Sequence, residues 1–441
     1  MTALEKDLEM ARRIALLAAE AGGHVYYVGG YVRDQLLHRE NKDVDIEVHG
    51  LLPQQLENVL DRLGNRLSMG ESFGIYSLKG YTLDIAMPQS RQGIDPFMGA
   101  KQAARRRDLT INALMQDVLT EETLDFFGGQ EDLAGGVIRH VDDETFAEDP
   151  LRVLRAAQFA ARFQFSVAPQ TINLCSKLRL DALAHERIEG EVQKALLKSP
   201  RPPIFFEELR KMNQLDVWFP ELKALCGIPQ NPRFHAEGDV WTHTMMVVDQ
   251  AAQYRNEVQN PFAFMLAAVV HDFGKALCTE TISGVIHAYG HEFKGLPLAE
   301  AFLRRMTSER KLIDTVLNLS EYHMKPIRMA AAGSAVKSTN HLFDASLDPQ
   351  ALICLALADD QGRLPRQNTD AARAFLQERL NIYRETMALP CVMGRDLLEA
   401  GLKPGKHFTE LLAYAHKLHL ARVEKSAALR QTLAYARTLK D

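Results

Sequence analysis

The chain has 441 residues, 46% apolar and 25% charged, a composition typical of soluble globular domains; it excludes a disordered, collagen-like or coiled-coil chain. At ~150 residues per domain the length suggests about three domains. The net charge of −5, from 52 Lys+Arg against 57 Asp+Glu, excludes a histone-like polycation, so nucleic acid would have to be met by local basic patches.

Residues 1–22 carry Glu5, Lys6, Asp7, Glu9, Arg12 and Arg13 among apolar positions, which predicts an amphipathic helix rather than a signal peptide. Residues 23–143 mix strands and helices, with strands predicted over His24–Val28, Val44–Val48, Ile75–Lys79 and Thr82–Met87. Residues 144–235 show apolar spacing near 3.6 and predict helices over Pro150–Phe165, Pro169–Leu180, Ile188–Lys198 and Pro203–Met212. Gly227–Pro232 is Pro-rich and predicts a linker. Residues 236–370 are helical and rich in His, and 371–441 form a helical tail. The fold class is therefore α+β: a head with a small mixed sheet, then all-helical segments. Five widely spaced Cys fit neither a disulfide framework nor a Cys-type zinc site, so a reducing cytosol is expected. The most apolar run, Phe262–Val270, is too short to span a bilayer, so no membrane partner is expected.

In the head, Gly29-Gly30 separates a strand from a helix carrying Arg33 and Asp34. Such a turn lets backbone approach a phosphate, although a plain strand-to-helix turn has the same pattern. In Lys42-Asp43-Val44-Asp45-Ile46-Glu47-Val48, period-2 alternation puts Asp43, Asp45 and Glu47 on one face and the apolar residues on the core side. Carboxylates ~7 Å apart along a strand repel, and a divalent cation such as Mg²⁺ would relieve that; a solvated acidic face is the plainer alternative. Asp84, between Leu83 and Ile85, is either a third metal-site carboxylate or half of a salt bridge. Arg105-Arg106-Arg107 supplies forked donors suited to a triphosphate, or to solvent. Asp149-Pro150 is a standard helix start. The helix that follows carries Arg152, Arg155, Gln158 and Arg162 as one polar stripe, which a cap alone does not require.

Together, Gly29-Gly30-x-Val32-Arg33-Asp34, Asp43-x-Asp45, Arg106-Arg107-Asp108-x-Thr110-x-Asn112-Ala113 and Glu148-Asp149-x-x-Arg152 resemble the successive motifs of class II tRNA nucleotidyltransferases, the CCA-adding enzymes that share a head with bacterial poly(A) polymerases. Asp125-Phe-Phe-Gly128-Gly129-x-x-Asp132-Leu133 and Glu186-Arg187-Ile188-x-x-Glu191 resemble two further elements of that family. The resemblance implies Mg²⁺ on Asp43 and Asp45, with Asp84 as a third catalytic carboxylate. It implies nucleotide contacts from Gly29, Gly30, Arg33, Arg107, Asp108, Asn112, Arg155 and Gln158, and base recognition by Asp149 and Arg152. The implied partners are CTP, ATP and the tRNA 3′ end, and the implied chemistry is in-line two-metal transfer. Two positions depart from the family pattern: Gln158 stands where an Arg is common, and Pro88-Gln89-Ser90-Arg91 replaces Pro-Arg-x-Glu. CC-only, A-only or poly(A) addition therefore stands as an alternative product.

The C-terminal half offers His243, His271-Asp272, His291, His323 and Asp359. Imidazoles and carboxylates gathered from separate helices suit a divalent transition metal or Mg²⁺. The set resembles the HD phosphohydrolase superfamily, with His291 and His323 as the extra ligands of a two-metal version. The resemblance implies phosphatase or phosphodiesterase activity. A third reading makes the head a degenerate RNA-binding platform and the HD segment the sole enzyme.

Overall fold

The computed structural model describes residues 2–39, 43–68 and 74–439. Met1 of the predicted first helix, Lys42 of the predicted metal-site strand and Asp441 of the predicted tail lie outside the described residues. The chain divides into two compact units: Met1–Glu191 with Ile204–Gln214, and Val192–Pro203 with Leu215–Asp441. The predicted linker at Gly227–Pro232 falls inside the second unit. There Pro229 bridges to Asp239, and Val240 N–H donates to the Ile228 carbonyl. It is a turn that feeds a helix.

In the first unit the helix Ala3–Glu20 opens on a capping box. Thr2 Oγ1 accepts from Glu5 N–H at 3.2 Å, and the Glu5 carboxylate accepts from Thr2 N–H at 2.7 Å. Met10, Ala11, Ile14, Ala15 and Ala18 form its buried stripe. The strands are β1 (His24–Val28), β2 (Asp45–His49), β3 (Arg66–Ser68), β4 (Ile75–Leu78), β5 (Asp84–Ala86), the short hairpin β6 (Gln89–Ser90) and β7 (Gly93–Ile94), β8 (Met115–Asp117), β9 (Thr123–Leu124) and the short parallel pair β10 (Val137–Ile138) and β11 (Ser166–Val167). Seven of them make one mixed sheet in the order β3-β4-β5-β2-β1-β8-β9. β1 is antiparallel to β2 and β8, whereas β2 and β5 run parallel with Asp45 opposite Asp84. Val44, Ile46 and Val48 are fully buried, as the alternation requires.

β2 begins at Asp45, so Asp43 lies in the segment just ahead of it and strand alternation does not set its direction. The helix Leu151–Phe163 starts at Pro150 and ends at Gln164, which takes the left-handed conformation at φ 59°. Asp125 accepts from Gly129 and Gln130 N–H at 2.9 Å each, and Asp132 accepts from Thr110 Oγ1 at 2.6 Å. This element therefore clamps the segment that carries Asp108 and Asn112.

The second unit is helical apart from the hairpin Glu280–Ile282 and Val285–His287. Asp239, Asn260 and Asp348 cap the helices Val240–Tyr254, Pro261–Val270 and Pro349–Gln361 by accepting from the N–H three residues on. Every residue from Phe262 to Val270 and from Ala351 to Asp359 is buried, so two of these helices are core elements apolar nearly all round. Pro261–Cys278 is long and apolar enough to cross a membrane by composition, but 83% of it is buried inside the protein. Trp218 and Trp241 are buried. In the tail Val392, Leu397, Leu411, Ala415 and Ala428 build a separate small core.

Candidate active site and candidate metal centre

Two adjoining cavities open on the head. One, of about 490 Å³, is lined by Gly29, Gly30, Arg33, Asp45, Arg106, Arg107, Asp108, Asn112, Asp149, Arg152, Arg155, Phe159, Arg162 and Arg187. The other, of about 450 Å³, shares Asp45, Arg106, Arg107 and Arg152 and adds Asp84. The fold thus gathers almost every head residue singled out from sequence.

Gly29 ends β1 at φ 65° and ψ −126°, a backbone state that side chains disfavour. A Cβ there would sit 3.6 Å from Asp45 Oδ2 and 4.0 Å from Arg107 Nη1, so the bare backbone borders the carboxylate and the guanidinium. Asp45 is partly buried, while Asp43 and Asp84 are exposed. Burial raises the Asp45 pKa, and the charges of Asp84 and Asp43 raise it further; burial and then Asp43 raise that of Asp84. Asp45 and Asp84, both pushed toward protonation with the Asp43 charge nearby, form a site that a divalent cation would relieve. Oxygen ligands of this kind suit a hard ion.

Glu47 shares the strand face of Asp45 but is spent elsewhere. It is 6% exposed, accepts from Arg107 Nη2 at 2.6 Å and meets His49 Nε2 at 2.9 Å. Burial alone would raise its pKa, yet the Arg107 charge and the His49 contact hold it below the usual range. Glu47 therefore aims Arg107 at the cavity. Asp108 plays the same part for Arg155. It accepts from Arg155 Nε at 2.7 Å and from Asn112 Nδ2 at 3.1 Å, and these partners overcome burial to lower its pKa. Asn112 in turn accepts from Arg33 Nη1 at 2.6 Å, and the Arg33 guanidinium lies over the Phe163 ring at 4.8 Å.

Asp149 and Arg152 both face the cavity with partners already in place. Asp149 accepts from Arg187 Nη2 at 2.7 Å. Arg152 donates to the Thr145 carbonyl at 2.6 Å and the Arg106 carbonyl at 2.7 Å. The element Glu186–Glu191 thus supplies Arg187 to Asp149, while Glu191 lies 4.0 Å from Arg155.

Gln158 is a correction to the polar stripe. Arg152, Arg155, Phe159 and Arg162 line the cavity. Gln158 sits one residue before Phe159, about 100° round the helix, and is 2% exposed. Its Nε2 finds no acceptor among the described residues.

In the second unit His243, His271, Asp272, His291, His323 and Asp359 come together, each less than a tenth exposed. The imidazoles share one orientation. His271, His291 and His323 turn Nδ1 to the carbonyl three residues back, at 2.9, 2.9 and 2.6 Å. His243 turns Nδ1 to the Gly362 carbonyl at 3.1 Å. Every Nε2 then points inward. Those of His243, His271 and His291 lie 3.4, 3.3 and 3.2 Å from the Asp272 carboxylate. His243 Nε2 is 3.1 Å from Asp359 Oδ1, and the His291 and His323 Nε2 atoms are 3.4 Å apart.

Two trios, His243–His271–Asp272 and Asp272–His291–His323, each keep their ligand atoms within 4.8 Å, and Asp272 belongs to both. His271 Nε2 is buried, and among the described residues it has no closer polar partner than Asp272 Oδ2 at 3.3 Å. Burial, with the neighbouring imidazole of His271, lowers the His323 pKa to about 3, so its lone pair is free for a ligand. Inward lone pairs around a shared carboxylate fit two divalent ions.

Lys275, one turn past Asp272, pairs with Asp272 Oδ2 at 2.6 Å and donates to Gln230 Oε1 at 2.8 Å. Gly274 lets this turn pack: a Cβ there would lie 2.0 Å from the His291 carbonyl oxygen. A cavity of about 250 Å³ leads to the cluster past Phe234, His235, Ile286, Tyr289, Arg328 and Arg363. Sequence reading put Glu47 on the acidic face and Arg187 in a family element without giving either a role, and it missed Lys275 and Arg363. For Lys275 and Arg363 the signal was a place one turn past Asp272 and Asp359, whereas Arg107 and Asp149, the partners of Glu47 and Arg187, lie far away in the chain.

A family model described as the poly A polymerase head domain matches residues 25–139, and one described as the HD domain matches residues 240–361. The multifunctional CCA protein of Actinobacillus pleuropneumoniae serotype 5b (strain L20) is 36% identical over 376 residues, 80% of this chain and 89% of that one. Two solved structures share the fold. The Bacillus stearothermophilus CCA-adding enzyme in complex with CTP has TM-score 0.71 and 20% identity, covering 98% of both chains. The Thermotoga maritima CCA-adding enzyme complexed with tRNA-CCA has TM-score 0.66 and 22% identity, also covering 98% of both.

Proposed function

The chain belongs to the multifunctional CCA protein family, and on that premise we propose that it builds or repairs the 3′-terminal CCA of tRNA from CTP and ATP. The observation that carries this reading is the meeting of Asp45, Arg107, Asp149 and Arg152 around one cavity beside Asp84. We assign nucleotidyl transfer to residues 23–143, nucleotide and RNA binding to 144–235, the HD unit to 236–370 and a tRNA-contacting tail to 371–441.

Asp43 and Asp45 would hold Mg²⁺, with Asp84 as the third carboxylate. When bound, the ion supplies charge stabilisation for the attacking and leaving oxygens. Arg107 and Arg155, aimed by Glu47 and Asp108, bind the triphosphate with forked donors. The tRNA 3′ oxygen attacks the α-phosphorus; its bond forms as the bond to pyrophosphate breaks, and the hydroxyl proton is lost. Asp149 accepts and Arg152 donates, so the pair offers both polarities to the edge of the incoming base. The test uses tRNAs ending before C74, C75 and A76 (the tRNA's own numbering) with CTP and ATP given separately. CTP alone should extend the first two and ATP alone the third. Extension by one nucleotide only would favour the partial-addition reading.

The HD residues would hold one or two divalent ions, with imidazoles favouring a transition metal over Mg²⁺. When bound, the ions would supply a water nucleophile at neutral pH. Arg328 and Arg363 meet the phosphate, and Phe234 and Tyr289 offer apolar surface for the organic part of an ester. Metal-dependent release of phosphate, or opening of a cyclic phosphodiester, lost in His271→Ala with Asp272→Ala, is the expected result.

A further inference from the structure

Glu237 stands outside the predicted ligand set, in the loop that precedes the helix Val240–Tyr254. Its side chain is 1% exposed and accepts three hydrogen bonds. These come from His235 Nδ1 at 2.8 Å, His243 Nδ1 at 3.1 Å and Leu364 N–H at 2.9 Å. The last bond ties it to the chain just beyond Asp359, whose carboxylate faces the other nitrogen of His243. Glu237 and Asp359 therefore grip the His243 ring from opposite sides. The other three clustered imidazoles anchor Nδ1 on backbone carbonyls; His243 has the Gly362 carbonyl and this buried carboxylate besides.

A carboxylate on the far nitrogen fixes the tautomer and makes the imidazole a stronger donor toward a metal. It also holds the ring plane of His243, which is fully buried. We infer that Glu237 is a positioning residue of the HD metal centre, orienting His243 through Nδ1 so that its Nε2 is presented to the ion beside Asp272 and Asp359. The inference rests on reading the six-residue cluster as a metal centre. Glu237 acts through His243 rather than as a ligand: its Oε1 is already taken by two imidazole N–H groups. An ion placed among His235, Glu237 and His243 would need the Nδ1 lone pair that His243 gives up in donating.

The test is calorimetric titration of Co²⁺ into the full chain, with His271→Ala plus Asp272→Ala as the reference that removes HD binding. Glu237→Gln keeps the shape and removes the charge. The expected result is Co²⁺ affinity at the HD site weakened by about 10–100-fold, with unchanged stoichiometry and an unchanged melting temperature without metal. Equal dissociation constants in Glu237→Gln and wild type would overturn the inference. So would loss of a whole equivalent of Co²⁺, which would make Glu237 a ligand. If Glu237→Gln does not fold, Glu237→Asp carries the same test: it keeps the charge but draws it back from His243. Weaker Co²⁺ binding in that folded variant supports the role, and wild-type binding overturns it. Identical Co²⁺ binding by wild type and the His271→Ala, Asp272→Ala reference would instead sink the metal-centre reading, and the inference with it.

Discussion

Asp43 and Asp84 of the head are exposed and Asp45 is only partly buried, whereas all six clustered residues of the HD unit are buried. Asp45 and Asp84 line wide cavities that they share with arginines. The HD ligands converge from several segments on a buried cluster reached by one smaller cavity, with the outer nitrogens of His271, His291 and His323 already bonded. The first arrangement suits an ion that arrives with a triphosphate and leaves with pyrophosphate. The second suits an ion that stays. The difference follows from ligand chemistry. Exposed carboxylates suit hard ions, and buried imidazoles suit borderline ones.

The comparison breaks most visibly if the two sites are not independent. Asp43→Ala with Asp45→Ala should lower CTP and ATP incorporation into tRNA by about a thousand-fold or more, since a catalytic ion supplies several kcal/mol. The same variant should keep metal-dependent phosphate hydrolysis. His271→Ala with Asp272→Ala should show the reverse, and incorporation at the wild-type rate in the first variant would remove the head assignment.

A smaller effect is expected where the head reads bases. Arg152→Ala should cost about 1–3 kcal/mol of discrimination against UTP and GTP while leaving triphosphate affinity nearly intact. Misincorporation rates against nucleotide dissociation constants separate the two.

The pH response sharpens the comparison further. Glu47 and Asp108 have folded pKa values below their ordinary ones. Their contribution to stability is therefore complete above the ordinary carboxylate range and lost as pH falls through the folded values. Melting temperature measured from pH 7 downward should fall with acid, and Asp108→Asn should flatten that fall. An unchanged profile would show that the Asp108–Arg155 pair carries none of it.

The smallest effect on binding is expected at Gln158. Because the residue is buried beside the cavity rather than in it, Gln158→Arg should leave CTP and ATP dissociation constants unchanged. It should lower stability by about 1–3 kcal/mol through overpacking. Tighter nucleotide binding would return Gln158 to the site.

Much of this was legible in the chain. Period-2 alternation placed Ile46 and Val48 inward and Asp45 outward, and the sheet observed those directions. It set the start of the strand one residue early, at Val44, which is buried and whose carbonyl accepts from Asp84 N–H although the ladder of β2 begins at Asp45. At Gln158 a polar stripe was counted at i, i+3, i+6. A helix turns past that spacing, so the cavity meets Phe159 instead. The six HD residues were legible by type. Glu47, Glu237 and Arg187 were not, because their roles are bonds to residues on other elements. A lone acid or arginine looks the same in sequence whether it is solvated or holds a catalytic side chain. The Gly227–Pro232 break had the composition of a linker, and its hydrogen bonds to the following helix made it a turn.

Asp149 and Arg152 have a further consequence in their resting bonds. Neither is idle: one holds Arg187, the other two backbone carbonyls. On the proposed reading, an incoming base therefore enters an exchange reaction, not an empty slot. A base whose donors and acceptors match both side chains replaces every bond it breaks. One that matches a single side chain leaves a polar group unsatisfied, at about 1–3 kcal/mol. Rejection of the wrong nucleotide is thus written into the protein before any nucleotide arrives, as a threshold that favourable triphosphate contacts cannot lower selectively.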